Sequence, residues 1–521
     1  LNSAQRLAKP MIKRNGAWQE VDWQVALEFV ANGLKQVRDR HGADQIAALA
    51  TPHQTLEELY LLQKLARGIG SNHVDFRTRQ SDFSADSLYN GVPWLGMKIA
   101  PIAQLDRVLV IGSTLRKDHP LLAHRLRQAA KKQLQINLLN PVDDDLLMRI
   151  ANKAIVAPSR LADALAQITK AVAQAKGAAV PEDLQAALTG VEIGEVARRI
   201  ADSLASGERA GIFLGNLAQH HPAATQLHAL AQVLSDLLGA KFGFLGEAAN
   251  SVGGYLANAT PAQGLNALQM VAQPRKAYVL LGVEPELDCY DPAQALAAMR
   301  QAEFVVALSP YQHRALDYAH ALLPVAPFTE TSGTFVSTEG RVQTFRAVVQ
   351  PLAQTRPAWK VLRVLGNLLG VAGFDYDSSE GVLREALGSV DIGARLDNRL
   401  KSAAIAALDA TAPGIQRIGE VPIYQADAIV RRAAPLQQTH DAAAPVAAMN
   451  GVLFSELGLR AGDRVQITQS GGTALLAAAR DDRLPAGCIR VPAAHPLTAA
   501  LGGMFGTVTA ERVAQQQKVA V

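Results

Sequence analysis

Two stretches of this chain repeat one plan. Residues 107–112 form a short apolar run ending in Gly112; a helix-patterned segment follows over 120–132, and residues 135–141 are apolar again. Residues 276–282 likewise end in glycine, at Gly282. A helical pattern follows over 292–301, then an apolar run over 304–309. Parallel strands need a crossover, which a helix supplies, and they are buried on both faces, so each stretch predicts a βαβ unit. Apolar runs at 46–50, 154–157 and 210–215 extend the pattern. The chain is therefore read as α/β, with two related halves.

In open α/β sheets, ligands bind outside the carboxyl ends of the strands. That points to the turns at Gly112, Gly215 and Gly282. Residues 13–41 are expected to form a short hairpin-like entry and then a helix, with Asp22 as its cap and Gly42 at its stop, and 55–69 another helix. A helical stretch over 352–372 leads into a polar linker over 377–420. From 421 onward, short strands joined by glycine turns predict a small β-rich module.

With 521 residues, the chain exceeds what one core serves. The expected divisions are 1–45; 46–100 together with 265–350; 101–264; 351–420; and 421–521. The 51 basic and 47 acidic residues are interleaved, which fits solvated faces and argues against nucleic acid as a partner. Cys289 and Cys488 are the only cysteines. Iron–sulfur clusters take about four ligands, mostly thiolates, so these two cannot build one alone. No run of about 18 apolar residues is present, so no membrane-spanning helix is expected. Leu1 is not an initiator methionine, and the chain is expected to be a fragment or processed form.

Several motifs are familiar in combination. Gly112-Ser113-Thr114-Leu115 with His119-Pro120 resembles a nucleotide-contacting turn of the molybdopterin oxidoreductase superfamily. Leu323-Pro324, Glu330, Gly333-Thr334 and the run from Glu339 to Gln343 are similar to a second block, and Gly246 to Gly254 to a third. The C-terminal module resembles that superfamily's double-psi β-barrel. The resemblance implies interleaved Rossmann-like α/β domains of the formate dehydrogenase-like kind, followed by that barrel. The opening Leu1 to Met11 and the run Ile423 to Ala433 with Leu436 to Thr439 resemble the large G-type subunit of bacterial NADH:quinone oxidoreductases, or respiratory complex I.

This narrower resemblance implies a peripheral-arm subunit on the cytoplasmic side of the inner membrane. It would contact the NADH/FMN-binding subunit and its neighbours and support electron transfer toward quinone. Its iron–sulfur clusters would lie upstream of Leu1, with no cofactor and no catalytic residue in this chain. By the same matching, the vestigial cofactor set comprises Gly112, Ser113, Asn140, Gly215, Gly282, Glu284, Gly333 and Thr334, and Ser81, after Arg77 and Arg79, falls at the metal-ligand position. Thr114, Leu115 and Glu284 depart from the catalytic pattern. A carboxylate at Glu284 is expected to repel a pyrophosphate, which makes molybdopterin binding unexpected. The plainer reading of Gly112 and His119-Pro120 is a tight turn and a helix-start proline. His220-His221 is read as a loop or helix start, and Asp143 to Asp145 as the cap of a helix near Leu146. The rival expectations are a molybdenum oxidoreductase ligated through Ser81 and a sugar- or nucleotide-binding α/β protein without the barrel.

Overall fold

The computed structural model describes residues 1, 3–405, 408 and 411–513. The chain forms two compact units. Unit 1 comprises Leu1–Gln80, Ala248–Arg395 and Tyr424–Ala442; unit 2 comprises Ser81–Glu247, Leu396–Ile423 and Ala443–Val521.

Unit 1 is built on a seven-stranded sheet in the order Ala17–Glu20, Met11–Arg14, Ala321–Pro324, Phe304–Ser309, Ala277–Leu281, Ile46–Ala50, Val74–Asp75. The last five are parallel, and Met11–Arg14 joins them antiparallel, Met11 opposite Leu322. Ile46–Ala50 and Ala277–Leu281 are buried at every position, as strands covered on both faces must be. The helix Leu56–Gly68 starts at a capping box: Thr55 Oγ1 accepts from Glu58 N, and Glu58 Oε2 accepts from Thr55 N. Helix Trp23–His41 begins after Asp22 as expected, but the Asp22 side chain makes no cap bond.

The linker expected over 377–420 is partly helical. Ser378 caps a helix over Ser379–Leu387 by accepting from Gly381 N at 3.2 Å, and Val382 is fully buried. Its apolar face is short, which hides it from a periodicity argument.

Unit 2 holds a five-stranded parallel sheet in the order Asn152–Ile155, Gln135–Asn140, Arg107–Ile111, Ala210–Leu214, Lys241–Phe244. Helices Leu161–Lys176, Glu195–Ala205 and Ala224–Leu238 bury Leu165, Ile168, Ile200, Leu204 and Leu230 in one apolar cluster with the sheet. The unit also contains a closed six-stranded barrel in the order Ile415–Ile418, Cys488–Arg490, Val446–Met449, Gly472–Arg480, Arg464–Gln469, Phe505–Val513. The barrel therefore begins before residue 421, and its presence removes the barrel-free rival. Arg417 lies inside it, 1% exposed, donating to the carbonyls of Val491, Gly502 and Gly503 and to Gln469 Oε1.

No helix starts near Leu146. Asp145 Oδ1 accepts from Leu147 N at 2.8 Å, and Leu147 adopts φ +52°, outside the helical region. Asp143 pairs with Lys153 at 2.7 Å and Asp144 with Arg490 at 2.9 Å, so each acid is spent on a tertiary contact.

Candidate functional site

In the unit 1 sheet, the chain runs outward in one direction from Ile46–Ala50 to Val74–Asp75. It runs in the other direction from Ala277–Leu281 through Phe304–Ser309 to Ala321–Pro324. The gap between Ile46–Ala50 and Ala277–Leu281 is thus a topological switch point, where open α/β sheets leave a crevice. Thr51, His53 and Gln54 follow one strand; Gly282 and Glu284 follow the other. Gly282 has φ +62°, and a Cβ there would stand 2.1 Å from Gln54 Nε2, so the turn needs glycine. A cavity of about 530 Å³ opens at this point, walled by both turns and by Pro310, Phe328, Phe335 and Asp427 to Val430.

The segment Tyr424–Ala442 closes part of this end. Arg431 Nη2 lies 2.5 Å from Asp288 Oδ1, and Arg431 Nη1 lies 3.4 Å from Glu284 Oε2. Arg432 Nη1 is 2.7 Å from Glu284 Oε1, close but not aligned for a hydrogen bond. Arg79 adds a second cation to Asp288 at 2.9 Å. Asp288 Oδ2 in turn accepts from Glu284 N at 2.9 Å. Burial alone would raise the Asp288 carboxyl, but Arg431 and Arg79 outweigh it and hold it below its ordinary value. Burial raises Glu286 to about 7, helped by the charges of Glu284 and Asp288. Glu284 is therefore not the free repelling charge the sequence suggests, because its carboxylate already has two guanidinium neighbours.

Gly333 and Thr334 pack against the first turn of the helix Leu56–Gly68. Thr334 N and Oγ1 donate to the two oxygens of Glu57 at 2.9 and 2.7 Å, and a Cβ on Gly333 would meet Thr55 Cγ2 at 2.5 Å. Asn250 ties the same region together: its Nδ2 donates to Gln54 O at 2.9 Å and its Oδ1 accepts from Val336 N at 2.9 Å. Burial raises Glu58, beneath the cavity, to about 7.

The other expected residues belong to unit 2, whose own switch point lies between Arg107–Ile111 and Ala210–Leu214. Gly112 has φ +58° and packs on Ala218; a Cβ on Gly215 would stand 2.3 Å from that of Ser113. Asn140 Oδ1 accepts from Ser113 N at 2.9 Å, and its Nδ2 donates to Ser113 O and Val142 O. Ser81 Oγ donates to His220 O at 2.8 Å. His220 Nε2 lies 3.2 Å from Glu247 Oε2, whereas His221 Nε2 meets Pro158 O at 3.0 Å, so the adjacent histidines serve different partners. Among the described residues, no three His, Cys, Asp or Glu side chains gather as a metal site.

Gly282 and Glu284 thus meet at one site. His53, Glu58 and Asp288 join them without a recognisable chemical motif, and Asp427 and Arg431 join them from the run Ile423 to Ala433, whose resemblance to a family says nothing of this cavity. Only the Thr55/Glu58 spacing, a capping-box signature, offers a signal, and it points to helix entry rather than to a cavity.

Residues 6–368 match the profile of the family described as molybdopterin oxidoreductase. The chain belongs to the molybdopterin oxidoreductase family. Among the relatives of this family member, the probable oxidoreductase YjgC of Bacillus subtilis is 26% identical over 74% of the chain and 45% of its own length. The NADPH-Fe(3+) oxidoreductase subunit alpha of Geobacter sulfurreducens is 28% identical over 71% of the chain and 50% of its own length. A putative formate dehydrogenase of Staphylococcus aureus is 24% identical over 72% and 44%. The chain therefore spans about half the length of these curated relatives. In fold, the molybdopterin oxidoreductase family member resembles acetylene hydratase from Pelobacter acetylenicus, with TM-score 0.72, 14% identity, and coverage of 98% of this chain and 92% of that one. Among the described residues, no helix is long and apolar enough to cross a membrane.

Proposed function

We propose that this chain is the carboxyl-terminal scaffold part of the large G-type subunit of a bacterial NADH:quinone oxidoreductase, without a molybdopterin of its own. It braces iron–sulfur clusters carried upstream and docks neighbouring peripheral-arm subunits, including the NADH/FMN-binding one, on the cytoplasmic side of the inner membrane. The supporting observation is the buried cluster of Arg431, Arg432 and Arg79 on Glu284 and Asp288.

A dinucleotide pyrophosphate at a strand turn needs open backbone N–H donors. Here Glu284 N is given to Asp288, and Ser113 N to Asn140. Two carboxylates and their own guanidinium partners take the space and charge that a pyrophosphate would use. These residues do not fit the cofactor.

A second reading, a molybdenum–bis-pterin oxidoreductase of formate dehydrogenase type with Ser81 as ligand, is favoured by what the relatives are called. Against it, Ser81 Oγ is directed at the His220 carbonyl. The test is elemental analysis for molybdenum and extraction of pterin from the full-length protein purified from its native source. The expected result is neither. Stoichiometric molybdenum with pterin overturns the scaffold reading.

A further inference from the structure

The unit 1 cavity, at about 530 Å³, falls within the roughly 300–1,000 Å³ of small-molecule sites. Most of its wall is apolar, with Val325, Pro327, Phe328, Phe335 and Ile429 contributing. Its polar groups are few. His53 Nε2 is buried and has no hydrogen-bond partner. His53 Nδ1 lies 3.9 Å from Asp427 Oδ2, and in the neutral ring with its proton on Nδ1 the Nε2 atom is an acceptor. A buried nitrogen without a partner costs free energy until a ligand donor meets it. Glu58, Asp288 and Asp427 also line the wall, whereas no lysine or arginine among the described residues does. Arg431 and Arg79, which do not line the cavity, meet the charge of Asp288, so the wall offers acceptors and no cation of its own to an anion.

We infer that this cavity binds a small, phosphate-free organic molecule with N–H donors and no negative charge, an amine- or amidine-bearing ring, which donates to His53 Nε2. The aromatic rings of Phe328 and Phe335 supply the apolar contact such a ring needs. The inference rests on the proposal that no dinucleotide occupies this switch point.

The probes are benzamidine and adenosine, with benzoate and adenosine 5′-monophosphate as their anionic counterparts, followed by saturation-transfer NMR and calorimetry on the full-length protein. At least one of the first pair should bind with Kd of about 1 mM or tighter, and its anionic counterpart about tenfold more weakly. Ala428→Trp, which fills the cavity, should abolish the signal. His53→Phe keeps a ring but removes the acceptor; it should weaken binding about tenfold and decides the matter if Ala428→Trp fails to fold. Binding of neither probe, equal binding of the anions, or unchanged binding in a folded variant overturns the inference. Molybdenum and pterin on the purified protein would sink the scaffold reading along with it, whereas a cofactor-free protein that ignores both probes sinks this inference alone.

Discussion

Replacing Arg431 with methionine removes a cation that two buried carboxylates share while keeping much of its apolar stem. The Arg431 side chain is 5% exposed, and those of Glu284 and Asp288 are 3% exposed. Breaking a buried pair by deleting one partner costs about 3–5 kcal/mol. Arg79 still pairs with Asp288, and Arg432 still stands against Glu284. The lower end, about 3 kcal/mol, is therefore expected. For a unit of this size each kcal/mol moves the transition by roughly 2–4 °C, so the unit 1 melt should fall by about 6–12 °C. Asp288 is held below its ordinary value, so its contribution is present above the carboxylate range and is lost as pH falls through the lowered folded value. The gap between wild type and Arg431→Met should accordingly be full at neutral pH and shrink in acid. Calorimetry reads the melt, and hydrogen exchange over Tyr424–Ala442 reads whether the segment has come loose. An unchanged melt together with unchanged protection of that segment would refute the claim that the ion cluster holds it.

Two further outcomes are expected. Glu58, raised by burial from 4.5 to about 7, favours folding while protonated below pH 4.5, and that advantage is lost as pH rises through about 7. Above both values the charged carboxylate costs about 3 kcal/mol, so Glu58→Gln, whose amide oxygen still accepts from Thr55 N, should gain stability at pH 8 relative to pH 5. Parallel Tm-against-pH profiles for variant and wild type would contradict this. Arg417→Met strands several buried carbonyls inside the barrel, at about 1–3 kcal/mol each. Exchange protection of the strands from Val446 to Val513 should collapse first, and protection at the wild-type level would show that the guanidinium is dispensable.

The sheets are legible where a strand is a short apolar run closed by glycine. Ile111-Gly112 and Leu281-Gly282 both end strands, and the helix Pro292–Gln301 lies where its pattern places it, with Asp291 accepting from Gln294 N. What fails depends on partners remote in sequence. Asp143 to Asp145 have the composition of a helix cap, but Lys153 and Arg490 claim two of them. Glu284 reads as a bare charge until Arg431 and Arg432 arrive from about 150 residues away, a contact that no local periodicity encodes. The Ile423 to Ala433 run carries a family resemblance, yet nothing in it announces that residues 424–442 leave the barrel's unit for the other. His53 and Asp427 are isolated polar residues in sequence, and only the fold brings them together.

The chain passes between the two units five times, and this sets a timetable for its synthesis. Ile46–Ala50 emerges from the ribosome long before its neighbour Ala277–Leu281. At about 5–20 residues per second that edge waits roughly 10–45 s for its partner. Arg431 is translated later still, so until then Glu284 lacks it and Asp288 has Arg79 alone. An unpaired apolar edge held open for that long invites mispairing with any other exposed strand.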